Sequence, residues 1–309
     1  MALLFSSRIH PADEWLAAIR RHLPDLEAAI WPEVPDPAAI DFALTWAPKR
    51  GELSRYPNLK GISSFGAGVE HILRDPDLPA GVPIVKIVDP KLTAGMVEYV
   101  LLHVLRQHRQ LDRLQAQQRE GRWQWLPPPD TGRTTVGILG LGQIGAAAGA
   151  ALAALGFRVI GWSRSEKGHP GIEGLHGPGE LERFLAQSQF LVCLLPLTPA
   201  TTGLINRRNL ALLPRGAYVI NAGRGPQVVD EDLLQALDSG HVAGATLDVF
   251  HREPLDPAHP FWRHPKVTVT PHNASDATPE RVAPQIAENI RRAREGRPLL
   301  NTIDRRLGY

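Results

Sequence analysis

At 309 residues the chain is long enough for two domains, each able to bury its own core. Its 34 basic and 32 acidic residues leave a net charge of +2, which excludes the strongly basic footprint of a nucleic-acid binder. One cysteine, Cys193, excludes a disulfide framework, and no run of about eighteen apolar residues marks a membrane span. The apolar start closes at Arg8, too soon for a secretory leader, so a cytoplasmic location is expected.

In chain order, β-like runs at 3–6, 42–46, 59–64 and 84–88 alternate with helical stretches at 13–22 and 69–73. Such alternation predicts a parallel sheet with helices packed on it. From 93 to 119 there is no proline, and apolar residues recur at Val97, Val100, Leu101, Val104, Leu105, Leu111 and Leu114. That spacing predicts one long amphipathic helix suited to bridge two domains. A second α/β series follows, with strands predicted at 135–139, 158–162, 190–195, 218–220, 244–247 and 267–270. Its helices are predicted at 144–155, 180–187, 231–239 and 279–295. Six strands with intervening helices match a doubly wound nucleotide-binding sheet. The expected fold is therefore α/β, two Rossmann-like or flavodoxin-like parallel-sheet domains with a cleft between them. Residues 1–98 and 285–309 form the expected substrate domain, discontinuous in sequence, and 99–284 the dinucleotide-binding domain. Cys193, inside the apolar run 190–195, reads as an inert core thiol.

The loop Gly140-Leu141-Gly142-Gln143-Ile144-Gly145 leaves the strand 135–139 and opens an alanine-rich helix. In that context a G-x-G-x-x-G pattern fits a pyrophosphate at a helix N-terminus. NAD-preferring sites place an acid at the end of the next strand, to accept from the adenosine ribose. Here Ser163, Arg164 and Ser165 stand there, with Lys167 close behind. A hydroxyl and a guanidinium suit the 2′-phosphate of NADP, so NADPH is the preferred cofactor and NADH a slower substitute.

Three ionisable residues each follow an apolar strand-like run: Arg224, Glu253 and His272. Reduction of a 2-keto acid needs a cation for the carboxylate and carbonyl, a proton for the forming alkoxide, and an orienting group for the proton donor. Arg224 offers a planar fork, His272 a proton near neutral pH, and Glu253 an acceptor for the other ring N–H. Upstream, Ser64 to Val69 follows a strand and opens a helix, so Ala67, Gly68 and Val69 can offer backbone N–H groups to a carboxylate.

These motifs resemble the D-isomer-specific 2-hydroxyacid dehydrogenase family over nearly the whole chain. The resemblance implies Arg224 as the substrate arginine, Glu253 as the histidine's partner and His272 as the acid/base. It implies cofactor contacts from Pro196 and Thr201, an acidic position near the nicotinamide carboxamide at Asp248, and a substrate-side tryptophan at Trp46. Within the family, Trp162-Ser163-Arg164 and the ending 304–309 look like the glyoxylate/hydroxypyruvate reductase A branch. Asn273 to Asp276 departs from the small apolar residues that relatives carry after the histidine.

The expected substrate is a small 2-keto or 2-hydroxy acid, with no nucleic-acid or membrane partner. A homodimer is expected, because in relatives the region of Trp123 and Trp125 reaches across a dimer; within the chain both read as packing residues. His71 is placed on the surface, Arg291, Arg292, Arg294 and Arg297 form a solvated helix end, and no histidine shows metal-ligand spacing. Two alternatives stay open: an NAD-dependent dehydrogenase of another D-2-hydroxy acid, and a dinucleotide-sensing regulatory protein. The first lacks its strand-end acid here, and the second lacks partner-binding extensions.

Overall fold

Apolar runs buried on both faces are what a central parallel strand requires, and the chain supplies them repeatedly. In a computed structural model of residues 1–309, these runs build two units, Met1–Leu92 with Asp276–Tyr309, and Thr93–Ser275. The junctions fall earlier than the expected 98/99 and 284/285.

In the first unit, β1 (Ala2–Ser6), β2 (Glu27–Ile30), β3 (Ile40–Thr45), β4 (Gly61–Ser64) and β5 (Ile84–Val85) form one parallel sheet, with α1 (Ala12–Arg20) and the single-turn α2 (Glu70–Leu73) between them. The order β2-β1-β3-β4-β5 is that of a flavodoxin-like sheet. Sequence patterning missed β2, an edge strand of Glu and Ala whose side chains stay partly or fully exposed. The tail returns to this sheet: Ile303 N–H donates to Ile84 O at 2.9 Å, and Thr302 bridges Val85.

In the second unit, α3 (Pro90–His108, entering from the first unit) and α4 (Leu111–Arg119) replace the single predicted helix. The break is at Gln110, whose φ of 55° is left-handed. No proline or glycine marks it, and the apolar spacing runs straight through, so periodicity alone could not locate it. The chain then runs β6 (Thr135–Leu139), α5 (Gln143–Ala154), β7 (Arg158–Ser163), β8 (Ile172–His176), α6 (Leu181–Leu185), β9 (Phe190–Cys193), α7 (Arg207–Ala211), β10 (Ala217–Asn221), α8 (Asp230–Asp238), β11 (Val242–Leu247) and β12 (Val267–Val269). The sheet has seven parallel strands rather than six, ordered β12-β11-β10-β9-β6-β7-β8. The extra strand, β8, is a half-exposed edge. Strand order reverses between β6 and β9, the switch point at which doubly wound sheets bind ligands. Leu139, Ile160, Phe184, Leu191, Val219, Leu237 and Phe261 anchor the core.

The last helix, α9 (Pro279–Glu295), belongs to the first unit, where it packs on α1, β3 and β4. Proline opens it, Val282, Ile286 and Ile290 face inward at four-residue spacing, and Gly296 closes it in the left-handed region. Its basic end is not simply solvated. Arg294 pairs with the buried Asp41 at 2.8 Å, while Arg291, Arg292 and Arg297 converge on Glu288. No helix is long and apolar enough to cross a membrane.

Candidate active site

Parallel strands deliver the loops at their carboxyl ends to one edge of the sheet. In the second unit β6, β7 and β9 lead into the glycine loop, Ser163 and the Leu194–Pro199 stretch. The neighbouring β10, β11 and β12 lead into Arg224, Asp248 with Glu253, and His272. Every sequence-predicted residue of this unit therefore sits at the same edge.

The glycine loop fits a dinucleotide phosphate. Gly142 is the N-cap of α5, so the first N–H groups of Gln143 and Ile144 stand at the positive end of a twelve-residue helix. A side chain on Gly142 would meet no atom within 4 Å, so that residue is not required by packing. Gly145 differs, since any side chain there would collide with the Gly140 carbonyl and push the helix off the loop. Beside the loop lies a cavity of about 370 Å³ lined by Leu141, Gly142, Gln143, Lys167, Gly168 and His169. Lys167 Nζ donates to Leu141 O at 3.1 Å, and His169 Nε2 is buried with no hydrogen-bond partner. A cation and an orphaned imidazole nitrogen in one cavity suit a polar, anionic ligand. Arg164 and Ser165 are exposed, whereas Ser163 is buried and its hydroxyl donates to Ser165 O at 2.7 Å. Thr201 ties its own loop, donating to Pro196 O at 2.7 Å and accepting from Thr198 N–H at 2.8 Å.

Arg224 is held by two buried amides that sequence reasoning passed over. Gln227 Oε1 accepts the Arg224 N–H at 2.8 Å while its Nε2 donates to Leu195 O, and Asn221 Nδ2 donates to Arg224 O at 3.0 Å. The guanidinium also donates to Gly223 O at 2.8 Å. Gly225 packs on the Phe250 carbonyl so closely that any side chain would overlap it. This contact locks the Arg224 loop to the segment that carries Glu253. Gln227 is fully buried, and nothing in its residue type announces that burial.

Glu253 and His272 meet directly, with Glu253 Oε2 2.7 Å from His272 Nδ1. The other carboxylate oxygen accepts Phe250 N–H at 2.9 Å. Burial opposes the charge on Glu253, but bonds from His272 and Phe250 and the nearby His272 and Arg224 charges outweigh it and hold the carboxyl below its ordinary range. At neutral pH this group only accepts, so Nδ1 carries a proton and Nε2 is the nitrogen left to exchange one. About a third of each side chain is accessible, 35% for His272 and 36% for Glu253. His272 has a φ of 52°, left-handed for a residue with a side chain, a conformation that costs about 1–3 kcal/mol and persists only where its surroundings impose it. Asp248 supplies part of that constraint. Its carboxylate accepts from Thr270 Oγ1, Asn273 N–H and Ala274 N–H at 2.6, 3.0 and 3.1 Å.

The first unit carries Trp46 just after β3, and Ala67, Gly68 and Val69 just after β4, again at neighbouring carboxyl ends. Ala67 is exposed and Val69 buried. His71 is buried at 7% exposure, not on the surface as expected. Its Nδ1 accepts Ala47 N–H at 3.1 Å, so Nε2 bears the proton and donates to Ser64 Oγ at 3.1 Å. Ser64 in turn donates to Gly68 O at 2.7 Å, fixing the loop, and the imidazole lies 4.3 Å from the Trp46 ring.

His10 was not singled out by the sequence, yet it stacks on Phe65 at 4.1 Å and meets the edges of Trp15 and Trp46. Burial pushes its imidazole down to about 4, against a weaker pull from Asp276. An unfolded histidine protonates near 6.5, so this group's contribution to stability is present above that pH and is lost as the pH falls from about 6.5 to about 4. His10→Phe is expected to flatten that loss. Thermal unfolding across this range checks it, and wild-type and variant curves that fall in parallel would remove His10 as the cause.

The sequence signature of the D-isomer specific 2-hydroxyacid dehydrogenase NAD binding domain matches residues 101–274. The chain belongs to the D-isomer specific 2-hydroxyacid dehydrogenase family. It is 42% identical over 314 residues to glyoxylate/hydroxypyruvate reductase A of Serratia proteamaculans, covering 100% of both chains. Among solved structures, a D-isomer specific 2-hydroxyacid dehydrogenase from Xanthobacter autotrophicus Py2, in complex with NADPH and MES, is 45% identical with a TM-score of 0.94 over 100% of this chain and 99% of that one. The NADPH-dependent glyoxylate/hydroxypyruvate reductase of Sinorhizobium meliloti, in complex with NADP and sulfate, is 38% identical with a TM-score of 0.92 over 100% of each.

Proposed function

We propose that the protein is an NADPH-dependent reductase of small 2-keto acids, converting glyoxylate to glycolate and hydroxypyruvate to D-glycerate. The observation that carries this reading is the 2.7 Å pairing of His272 with an ionised Glu253, on the sheet edge that also bears Arg224 and the glycine loop. Gly140, Gly142, Gln143, Ile144 and Gly145 hold the pyrophosphate, and Pro196 and Thr201 border the cofactor. When bound, the reduced nicotinamide supplies the hydride to the carbonyl carbon. The chain's own residues do the rest. Arg224 binds the carboxylate and polarises the carbonyl, and His272 Nε2 gives its proton to the oxygen as the C=O bond becomes C–OH. Glu253 keeps Nδ1 protonated and the ring oriented throughout, and the accessible imidazole is reprotonated from solvent.

Residues Ala67, Gly68 and Val69, with Trp46 beside them, receive the substrate carboxylate in this reading. A homodimer is supported by Trp123 and Trp125, which are 101% and 75% exposed rather than packed within the chain as expected. Leu102, Leu111 and Leu114 of α3 and α4 are exposed as well, apolar area that a second copy would cover.

NADPH preference rests on Arg164, with Lys167 next to the loop. Ser163 reaches a phosphate only if its hydroxyl leaves Ser165 O. A charge-assisted contact is worth about 1.5–3 kcal/mol, or roughly tenfold or more in affinity. Arg164→Ala is accordingly expected to raise KM for NADPH by about that factor and to leave NADH nearly unaffected. Initial rates with NADPH and NADH against a panel of 2-keto acids test both parts. Wild-type oxidation of both cofactors with equal efficiency would reduce Arg164 to a surface residue, and no turnover of either keto acid would end the functional reading.

A further inference from the structure

Three buried polar side chains of the second unit, Tyr99, His103 and Thr246, take no part in the chemistry proposed above. Tyr99 and His103 lie one helical turn apart on α3 with ring centroids 4.4 Å apart. His103 Nδ1 is 3.3 Å from Thr246 Oγ1, which in turn lies 2.9 Å from Tyr218 OH. Those contacts stay within the core. Tyr99 also points the other way, with its hydroxyl 2.7 Å from Thr270 Oγ1.

The direction of each bond in that second branch can be assigned. Asp248 Oδ1 and Oδ2 take the backbone N–H groups of Asn273 and Ala274, so the carboxylate is an acceptor. Thr270, 2.6 Å from Oδ1, must then donate to it. Having given its one proton away, Thr270 accepts, and Tyr99 is the donor. The result is a directed chain, Tyr99 O–H to Thr270 O–H to Asp248, ending on the backbone of the turn just after His272. The His272 N–H completes the enclosure, donating to Asp248 O at 2.8 Å and Thr270 O at 3.0 Å.

We propose that Tyr99 and Thr270 are positioning residues for His272, which act by orienting Asp248 so that its carboxylate clamps the 272–274 turn and holds the histidine in its left-handed backbone. This rests on His272 being the proton donor. Asp248 is 1% exposed, and all the donors named here belong to its own chain. A group so enclosed is placed to hold the loop. Tyr99, itself 8% exposed, is a support that no strand-end motif would reveal.

The test compares Tyr99→Phe, Thr270→Val, Thr270→Ser and the Tyr99→Phe/Thr270→Val pair with the wild type. Thr270→Val keeps shape and loses the hydroxyl, and Thr270→Ser restores it. Each valine or phenylalanine variant is expected to lose about tenfold to a hundredfold in kcat for glyoxylate, the scale on which small misplacements act. KM for NADPH and its dissociation constant, read by tryptophan fluorescence quenching, should stay at the wild-type value. Thr270→Ser should recover most of kcat. The double variant should be no worse than Thr270→Val alone, because both changes cut one chain. Amide hydrogen exchange on the ligand-free protein gives a readout independent of turnover. Exchange at Asn273 and Ala274 should accelerate in Tyr99→Phe and in Thr270→Val, while β6 amides keep their protection.

Unchanged exchange at those two amides, or single losses that multiply in the double variant, would overturn the proposal. A loss confined to NADPH affinity would overturn it too, in favour of a direct cofactor role for Asp248. Absent glyoxylate turnover in the wild type would count against the function and leave the exchange result to judge the clamp.

Discussion

Replacing His272 by alanine is expected to lower kcat for glyoxylate reduction by roughly 10²–10⁴, the usual contribution of one positioned acid. The loss should fall on kcat because, in the proposed mechanism, the imidazole gives its proton only as the alkoxide forms. NADPH affinity should survive, since the glycine loop and the cavity beside it lie on other strands. Steady-state kinetics with a parallel binding titration separate the two. Turnover close to wild type in a folded variant would remove His272 from the mechanism and leave the Glu253 contact as a structural ion pair.

Arg224→Lys should be the second most damaging change, although it keeps the charge. An ammonium is a point donor, whereas the guanidinium presents a planar fork that matches a carboxylate in two parallel bonds. In the proposed mechanism Arg224 acts on the bound substrate and on the polarised carbonyl, so KM for glyoxylate should rise and kcat should fall, each by about tenfold. The surrounding loop should hold, because Gln227 and Asn221 grip the main chain of Arg224. If only one of the two kinetic constants worsens, Arg224 has only one of the two roles.

Central strands were legible in the sequence because burial on both faces leaves continuous apolar runs, as at Leu3-Leu4-Phe5 and Phe190-Leu191-Val192. Edge strands β2 and β8 were not, since half their side chains face water and the run is broken by Glu and Gly. The interruption at Gln110 was equally hidden, because the residue carries neither the proline nor the glycine that normally marks a break. In the candidate site, residues at strand ends announced themselves by spacing, so Arg224, Glu253, His272 and the glycine loop could be picked out before any coordinates. The supports could not. Tyr99 and His10 come from positions whose neighbours in sequence are not their neighbours in space, and the burial of Gln227 and the exposure of Trp123 are not encoded in residue type. The serine at 163 marks a different limit. Its place at the end of β7 was legible, but the direction of its hydroxyl, toward Ser165 O, depends on a local turn that no motif specifies.

The buried thiol has a practical consequence. Cys193 is 0% exposed, its Sγ donates to Gln227 Oε1 at 3.2 Å, and burial pushes it up to about 12 despite an opposing backbone bond from Leu195. Thiolate is the reactive species toward maleimides and iodoacetamides. The natural chain is therefore silent to them, and a single cysteine introduced at the exposed Ala67 would be its sole labelling point. A dye attached there would report in real time whether a keto acid arrives at the loop proposed to receive its carboxylate, with no native residue first having to be engineered away.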